Sequence, residues 1–209
     1  MTASVVLPWR GVWRQPRATV REQLANGNPL TILVLPATSG IVEALLHASA
    51  NNFGARAGAM WILLMAAWAG GLWGLLRLHM VSGVIYFLQR LGGDTVPFAR
   101  IRTAISVSSA PLATAFLFWV TASITVGRDV FISPDALAAS LPPSLLLQSL
   151  LLYLATVVCA VWSLIVLVIA VAEVLEISAG QAVLTLVIGY ALLAAAVLAA
   201  VLVVAAIMG

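Results

Sequence analysis

Long apolar runs dominate this chain from residue 30 onward. A helix rises about 1.5 Å per residue, so about 20 apolar residues cross the hydrocarbon core of a bilayer. Only 8% of the residues are charged, whereas soluble domains carry about 25%. So few charges could not cover the surface of a soluble protein of 209 residues. The sequence therefore predicts an all-α integral membrane protein.

Five apolar regions predict a five-helix membrane bundle. The predicted spans cover about residues 30–49, 57–78, 103–126, 144–172 and 179–207. The chain therefore has two parts, an N-terminal arm of residues 1–29 and a transmembrane domain of residues 30–209. The second region has no helix breaker before about residue 91. Its full length is too great for one crossing and too small for two. We expect residues 78–91 to continue the helix and either leave the bilayer or bend along its surface.

The placement of arginine predicts the topology. Basic residues concentrate in cytoplasmic loops, and all ten basic residues here are arginines. With a cytoplasmic N-terminus, the inner segments hold Arg10, Arg14, Arg17, Arg21, Arg90, Arg100 and Arg102, and the outer loops hold Arg56 and Arg128. Five spans then place the C-terminus outside. Abundant alanine and arginine without lysine is typical of a bacterial protein, which predicts the bacterial inner membrane.

The N-terminal arm carries the pattern of a short amphipathic helix. Pro16 suits a first helical turn, and Asn26-Gly27 suits a helix end. We expect this cytoplasmic helix to lie on the inner surface, where anionic headgroups contribute about 1 kcal/mol per arginine. The alternative is that the charges only orient the chain. The predicted lipid or partner contacts are Trp13, Arg14, Pro16, Arg17, Arg21, Arg100 and Arg102.

Several ionisable residues lie within or beside the predicted spans, where such groups are candidates for function. Glu43 and His47 are four residues apart and share a helix face. They are either part of a proton or cation path or a pair with a packing role. A second predicted pair, Arg77 with Glu173, would hold span two to the hairpin of spans four and five at the inner boundary. The alternative is that both side chains extend separately to the headgroups.

Small residues and one proline predict helix contacts. Ala66, Gly70 and Gly74 recur every four residues, a spacing that allows close helix approach in lipid. This row packs either within one chain or between copies of a homo-oligomer. Pro111 should kink span three, because it removes a backbone hydrogen bond. The hydroxyls around it either compensate for the lost bond or line a polar path.

The sequence contains none of the familiar catalytic motifs. It has two histidines and one cysteine, and no metalloprotease, nucleophile-elbow or phosphate-loop pattern. No cofactor or metal site is predicted. A basic face with interleaved aromatics is also absent, so nucleic acid is not an expected partner. We therefore predict a protein that is not an enzyme.

Three segments in order resemble the Yip family of Ypt/Rab-interacting membrane proteins, in its bacterial branch. They are "WRQPRATVR", "LGGDTVPFARIRTAISVSSAPL" and "VWSLIVLVIAVAEVLEISAGQAV". The resemblance implies five spans and a cytoplasmic N-terminus. Eukaryotic members resemble trafficking adaptors that contact small GTPases. That role is not carried over, since the acidic-Leu-Tyr-Gly-Pro element of those members is missing here.

These observations favour a membrane scaffold or adaptor. Its cytoplasmic arm and the loop of residues 88–102 would contact a protein partner. One alternative is a small transporter or channel that uses a polar face of spans one and three. Another alternative is an accessory subunit of a larger membrane complex.

Overall fold

The structure is a computed structural model that describes residues 8–93, 96–133 and 143–208. Seven helices make up most of it. They are α1 (Pro8–Arg14), α2 (Pro16–Asn26), α3 (Pro29–Ala50), α4 (Ala59–Leu91), α5 (Phe98–Thr125), α6 (Pro143–Leu175) and α7 (Ala179–Met208). Short 3₁₀ helices, Phe53–Ala55 and Gly127–Phe131, follow α3 and α5. Residues 1–7 of the predicted arm lie outside the described part.

Five of these helices, α3 to α7, are long and apolar enough to cross a membrane. This confirms the prediction of an all-α, five-span bundle. The second of them, α4, continues as one helix to Leu91. We call the end of the bundle that carries α1, α2 and the α6–α7 turn the arm end.

Local sequence sets the limits of the first helices. Pro16 and Pro29 begin α2 and α3, where proline has no intrahelical hydrogen bond to lose. The side chain of Asn28 accepts a hydrogen bond from the backbone N–H of Leu30 at 2.9 Å, which caps α3. The helix predicted between Pro16 and Asn26 has those limits in the structure.

Glycines bring α3 and α4 into backbone contact. A Cβ atom added at Gly74 would overlap the carbonyl oxygen of Pro36. One added at Gly70 would lie 2.6 Å from the carbonyl oxygen of Gly40. Close approach of this kind favours helix association in lipid, where hydrophobic burial gives little drive. In the structure, the row of Ala66, Gly70 and Gly74 therefore faces α3 of the same chain.

The third membrane helix, α5, is interrupted near its middle. Its regular segments are Phe98–Ser108 and Ala110–Thr125, and Pro111 lies just after the break. Proline displaces the hydrogen bonds of the turn before it. The backbone N–H of Leu112 donates instead to the hydroxyl of Ser163 in α6, at 2.9 Å. A neighbouring helix thus satisfies a backbone group that lipid could not.

The last helix, α7, lies at the edge of the bundle. Its buried residues are Ala182, Leu186 and Gly189, all in its first half. From Ala194 to Met208 every residue is exposed. The second half of α7 therefore diverges from the other helices and leaves their surface open beside it.

Candidate functional site

The N-terminal arm is docked against the bundle. Val12 and Val20 are completely buried in the hydrophobic core near the arm end. Trp13 stacks on Trp162 of α6, with ring centroids 5.9 Å apart and planes at 3°. The indole N–H of Trp162 also donates to the carbonyl oxygen of Val12 at 2.9 Å. Apolar burial of this kind fixes α1 and α2 on the protein itself.

Two arm arginines contact Glu173 at the end of α6. Arg21 donates two hydrogen bonds to this carboxylate, Nε to Oε2 at 2.6 Å and Nη2 to Oε1 at 3.2 Å. Arg17 lies farther away, with its Nε 3.7 Å from Oε1. The hydrogen bond and the negative charge of Glu173 raise the pKa of Arg21. Because both arginine side chains are mostly exposed, this contact orients the arm more than it stabilises the fold.

The other arginines of the predicted contact surface also lie at the arm end. Arg14 and Arg100 are exposed. Arg100 lines a cavity of about 470 Å³ together with Arg21, Glu173 and Glu176. Arg102 is half-buried, and its Nε has no hydrogen-bond partner in the described part of the chain. Pro16 starts α2 beside them.

A separate polar cluster lies between the membrane helices. Arg77 of α4 forms an ion pair with Glu43 of α3 through Nη1 and Oε1. Its Nη2 donates to the hydroxyl of Ser39 at 2.8 Å. The indole N–H of Trp73 donates to the other oxygen of Glu43 at 3.1 Å. Both charged side chains are about three-quarters buried, so each depends on the other for its counter-charge.

This geometry corrects the predicted pair between Arg77 and Glu173. Arg77 contacts Glu43, and Glu173 contacts Arg21 and Arg17. The arm helix, not α4, supplies the counter-charge at the end of α6. His47, which shares a helix face with Glu43 and is expected to act with it in a path or as a packing pair, is exposed. The partners of Glu43 among the described residues are Arg77 and Trp73.

Sequence reasoning missed the two polar neighbours of this ion pair. Ser39 lies one helical turn before Glu43, and Trp73 lies one turn before Arg77. Residues four apart share a helix face. The sequence therefore indicates these two neighbours only through their spacing, a serine four residues before Glu43 and a tryptophan four residues before Arg77. Neither residue type is unusual in a membrane helix.

The ion pair borders a cavity of about 230 Å³ inside the bundle. Its polar lining also includes Ser39, Ser108, Ser109, Ser163 and Tyr190. The break in α5 and the edge helix α7 both contribute to its wall. The cavity is therefore a space at membrane depth with a cluster of polar groups in a mostly apolar lining, bounded by all five membrane helices.

A bundle of five membrane helices with an internal ion pair and an arginine-rich end defines a multi-pass integral membrane protein. The family model of the Yip1 domain matches residues 10–206. The chain therefore belongs to the Yip1 family, as its three segments predicted. This is a family of non-enzymatic membrane proteins. No curated protein and no solved structure matches the chain.

Proposed function

We propose that this protein is a non-enzymatic membrane scaffold that binds an acidic segment of a protein partner at its arm end. The observation that carries the proposal is the docking of the arm, with Val12 and Val20 buried while its arginines stay exposed. Because the arm is docked, Arg10, Arg14 and Arg100 lie on a surface whose position is fixed. A fixed surface loses less conformational freedom on binding than a mobile tail does.

The topology that accompanies this proposal has the N-terminus in the cytoplasm and the C-terminus on the periplasmic or external side. The arginine bias between the two ends supports it, because only Arg56 and Arg128 lie at the opposite end. The membrane would be the inner membrane of a bacterium. The adaptor surface would then face the compartment in which soluble acidic partners occur.

Anionic lipids are the second proposed partner of this surface. Trp9 is half-buried and Trp13 is exposed, and both lie on α1 near Arg10 and Arg14. Tryptophan beside arginine is typical of the membrane interface. Each arginine near an anionic surface contributes about 1 kcal/mol. Lipid would thus add to the docking of the arm on the bundle while a protein partner engages the same end.

Site-specific photo-crosslinking in intact cells tests the proposal. A photoreactive amino acid at Ala18, which is exposed on α2, should give a protein adduct. The matched position is Ala55, which is exposed at the opposite end of the bundle and should give none. Mass spectrometry of the adduct identifies the partner and the peptide that was contacted.

Charge variants distinguish a specific contact from nonspecific crosslinking. The triple variant Arg10→Gln, Arg14→Gln, Arg100→Gln should reduce the adduct at Ala18 at least about tenfold, since each rim charge contributes to association. The control Arg56→Gln, Arg128→Gln removes arginines from the other end and should leave the adduct unchanged. Equal adducts in both variants, or equal adducts at Ala18 and Ala55, would contradict an adaptor surface at the arm end.

A further inference from the structure

The cavity beside the ion pair offers more hydrogen-bond donors than the protein uses. A guanidinium has five N–H donors, and within the described chain Arg77 uses them in an ion pair with Glu43 and a hydrogen bond to Ser39. The hydroxyl of Ser163 accepts from Leu112 but donates to no described atom. Tyr190 likewise makes no hydrogen bond there, and its side chain lines the same space. The cavity therefore suits a group that is rich in acceptors.

The charge of the cavity is balanced. Its lining includes one cation, Arg77, and one anion, Glu43, which form a direct pair. A free anion would have to compete with Glu43 for Arg77, and a free cation with Arg77 for Glu43. The preferred ligand is therefore a neutral group with acceptor oxygens, such as a carboxylic ester.

The rest of the lining is apolar, and one side of the cavity faces the bilayer. Leu78, Val81, Ile105 and Leu167 provide buried hydrophobic walls. Leu164 of α6 is 60% exposed and Tyr190 of α7 is 45% exposed. Tyr190 directly follows Gly189, the last buried residue of α7. The divergence of α7 thus leaves a lateral opening between α6 and α7 at this depth.

The size of the cavity limits what can enter. Its volume of about 230 Å³ equals roughly eight water molecules at about 30 Å³ each. This space admits a glycerol unit with its ester groups but not a whole lipid. Acyl chains would lie outside, against exposed apolar residues of α6 such as Val157 and Val161.

We propose that this cavity binds the glycerol-ester region of one membrane glycerolipid, from the leaflet at the arm end and irrespective of its headgroup. Arg77, Ser163 and Tyr190 donate hydrogen bonds to the ester oxygens. The acyl chains leave through the opening between α6 and α7. This site is distinct from the arm surface, where attraction depends on negative headgroup charge.

Native mass spectrometry of the full chain, titrated in detergent micelles with defined lipids, tests the site. Dioleoylglycerol, phosphatidylethanolamine and phosphatidylglycerol should each give one retained lipid per chain, with affinities that agree within about twofold. Tyr190→Phe removes one donor and should weaken each affinity about fivefold. The matched control Tyr86→Phe removes a phenolic hydroxyl outside the cavity and should leave all three affinities unchanged.

A second variant fills the cavity without touching its hydrogen bonds. Ala160→Phe places a ring in the space and should reduce lipid retention at least about tenfold. Circular dichroism and gel filtration establish that each variant is folded. Unchanged lipid retention in folded Ala160→Phe and Tyr190→Phe would overturn the proposal. The absence of any retained lipid in the wild type would overturn it as well.

The lipid series distinguishes lipid binding in the cavity from lipid binding on the arm and from transport. Retention of phosphatidylglycerol alone, together with its loss in Arg14→Gln, would place the lipid on the arm and overturn the proposal. Faster proton flux through vesicles containing the wild type, blocked by Ala160→Phe without any retained lipid, would also overturn it in favour of transport.

Discussion

Arg77 and Glu43 form an ion pair although their Cα atoms lie at different depths in the bundle. Gly74 packs beside Pro36 and Gly70 beside Gly40. This register places the Cα atom of Arg77 nearer the arm end than the Cα atom of Glu43. Side chains lean toward the N-terminus of their helix. Because α3 and α4 are antiparallel, the two long side chains lean toward each other and close this distance.

Removal of one member of this ion pair should destabilise the protein. Glu43→Gln and Arg77→Gln each leave a largely buried charge without its partner. Complete burial would make the loss about 3–5 kcal/mol, and the partial exposure here reduces it to about 1–3 kcal/mol. Equilibrium unfolding in mixed micelles measures the change in free energy.

The double variant gives the diagnostic result. Glu43→Gln, Arg77→Gln leaves no unpaired charge, so its loss of stability should be smaller than the sum of the two single losses. Strict additivity would mean that the two residues act independently and would contradict a coupled pair.

The contact between α3 and α4 depends on glycine at two positions in α4. Gly74→Ala adds a methyl group against the carbonyl oxygen of Pro36 and should cost about 1–3 kcal/mol, as overpacking typically does. Gly83→Ala, in the same helix, meets no atom within 4 Å. That control should be neutral or stabilise the helix by up to about 1 kcal/mol. Equal effects of the two substitutions, measured by unfolding in micelles, would show that backbone contact is unimportant.

The attachment of the arm should depend on aromatic packing more than on charge. Trp162→Ala removes both the ring stacked on Trp13 and the hydrogen bond to Val12. We expect amide hydrogen exchange in α1 and α2 to rise about tenfold or more, because local opening becomes easier. Arg21→Gln breaks an exposed contact and should raise this exchange by only a few-fold.

The tryptophan control is Trp68→Ala, which removes a side chain that is 68% exposed on α4. It should leave exchange in the arm unchanged. A larger effect of Arg21→Gln than of Trp162→Ala would mean that the ion pair, and not the stacked rings, attaches the arm.

The sequence predicted the fold well because lipid allows few alternatives. Backbone groups must be satisfied within each span, so long apolar runs become helices and their number follows from length. The limits of the arm helix were equally predictable, since proline at its start and Asn-Gly at its end are local signals. These features depend on neighbours in sequence and not on the arrangement of the helices.

The ion pairs were not predictable in the same way. Equal depth in the predicted topology favours a pair of Arg77 with Glu173, but contact also depends on which helices are neighbours. The close approach at Gly40 makes α3 the neighbour of α4. Docking of the arm then occupies Glu173 with Arg21. Both facts are tertiary, and no local pattern in the sequence contains them.

The break in α5 should depend on Ser163 of the neighbouring helix. Ser163→Ala removes the acceptor for the backbone N–H of Leu112 and should cost about 1–3 kcal/mol, because a donor at membrane depth is left unsatisfied. The control Thr121→Ala removes an exposed hydroxyl of α5 that bonds only its own helix, and it should change stability by less than about 0.5 kcal/mol. Adding Pro111→Ala restores the helical hydrogen-bond pattern, so it should recover part of the loss in Ser163→Ala. No recovery, measured as unfolding free energy in micelles, would mean that Ser163 stabilises the bundle independently of the proline.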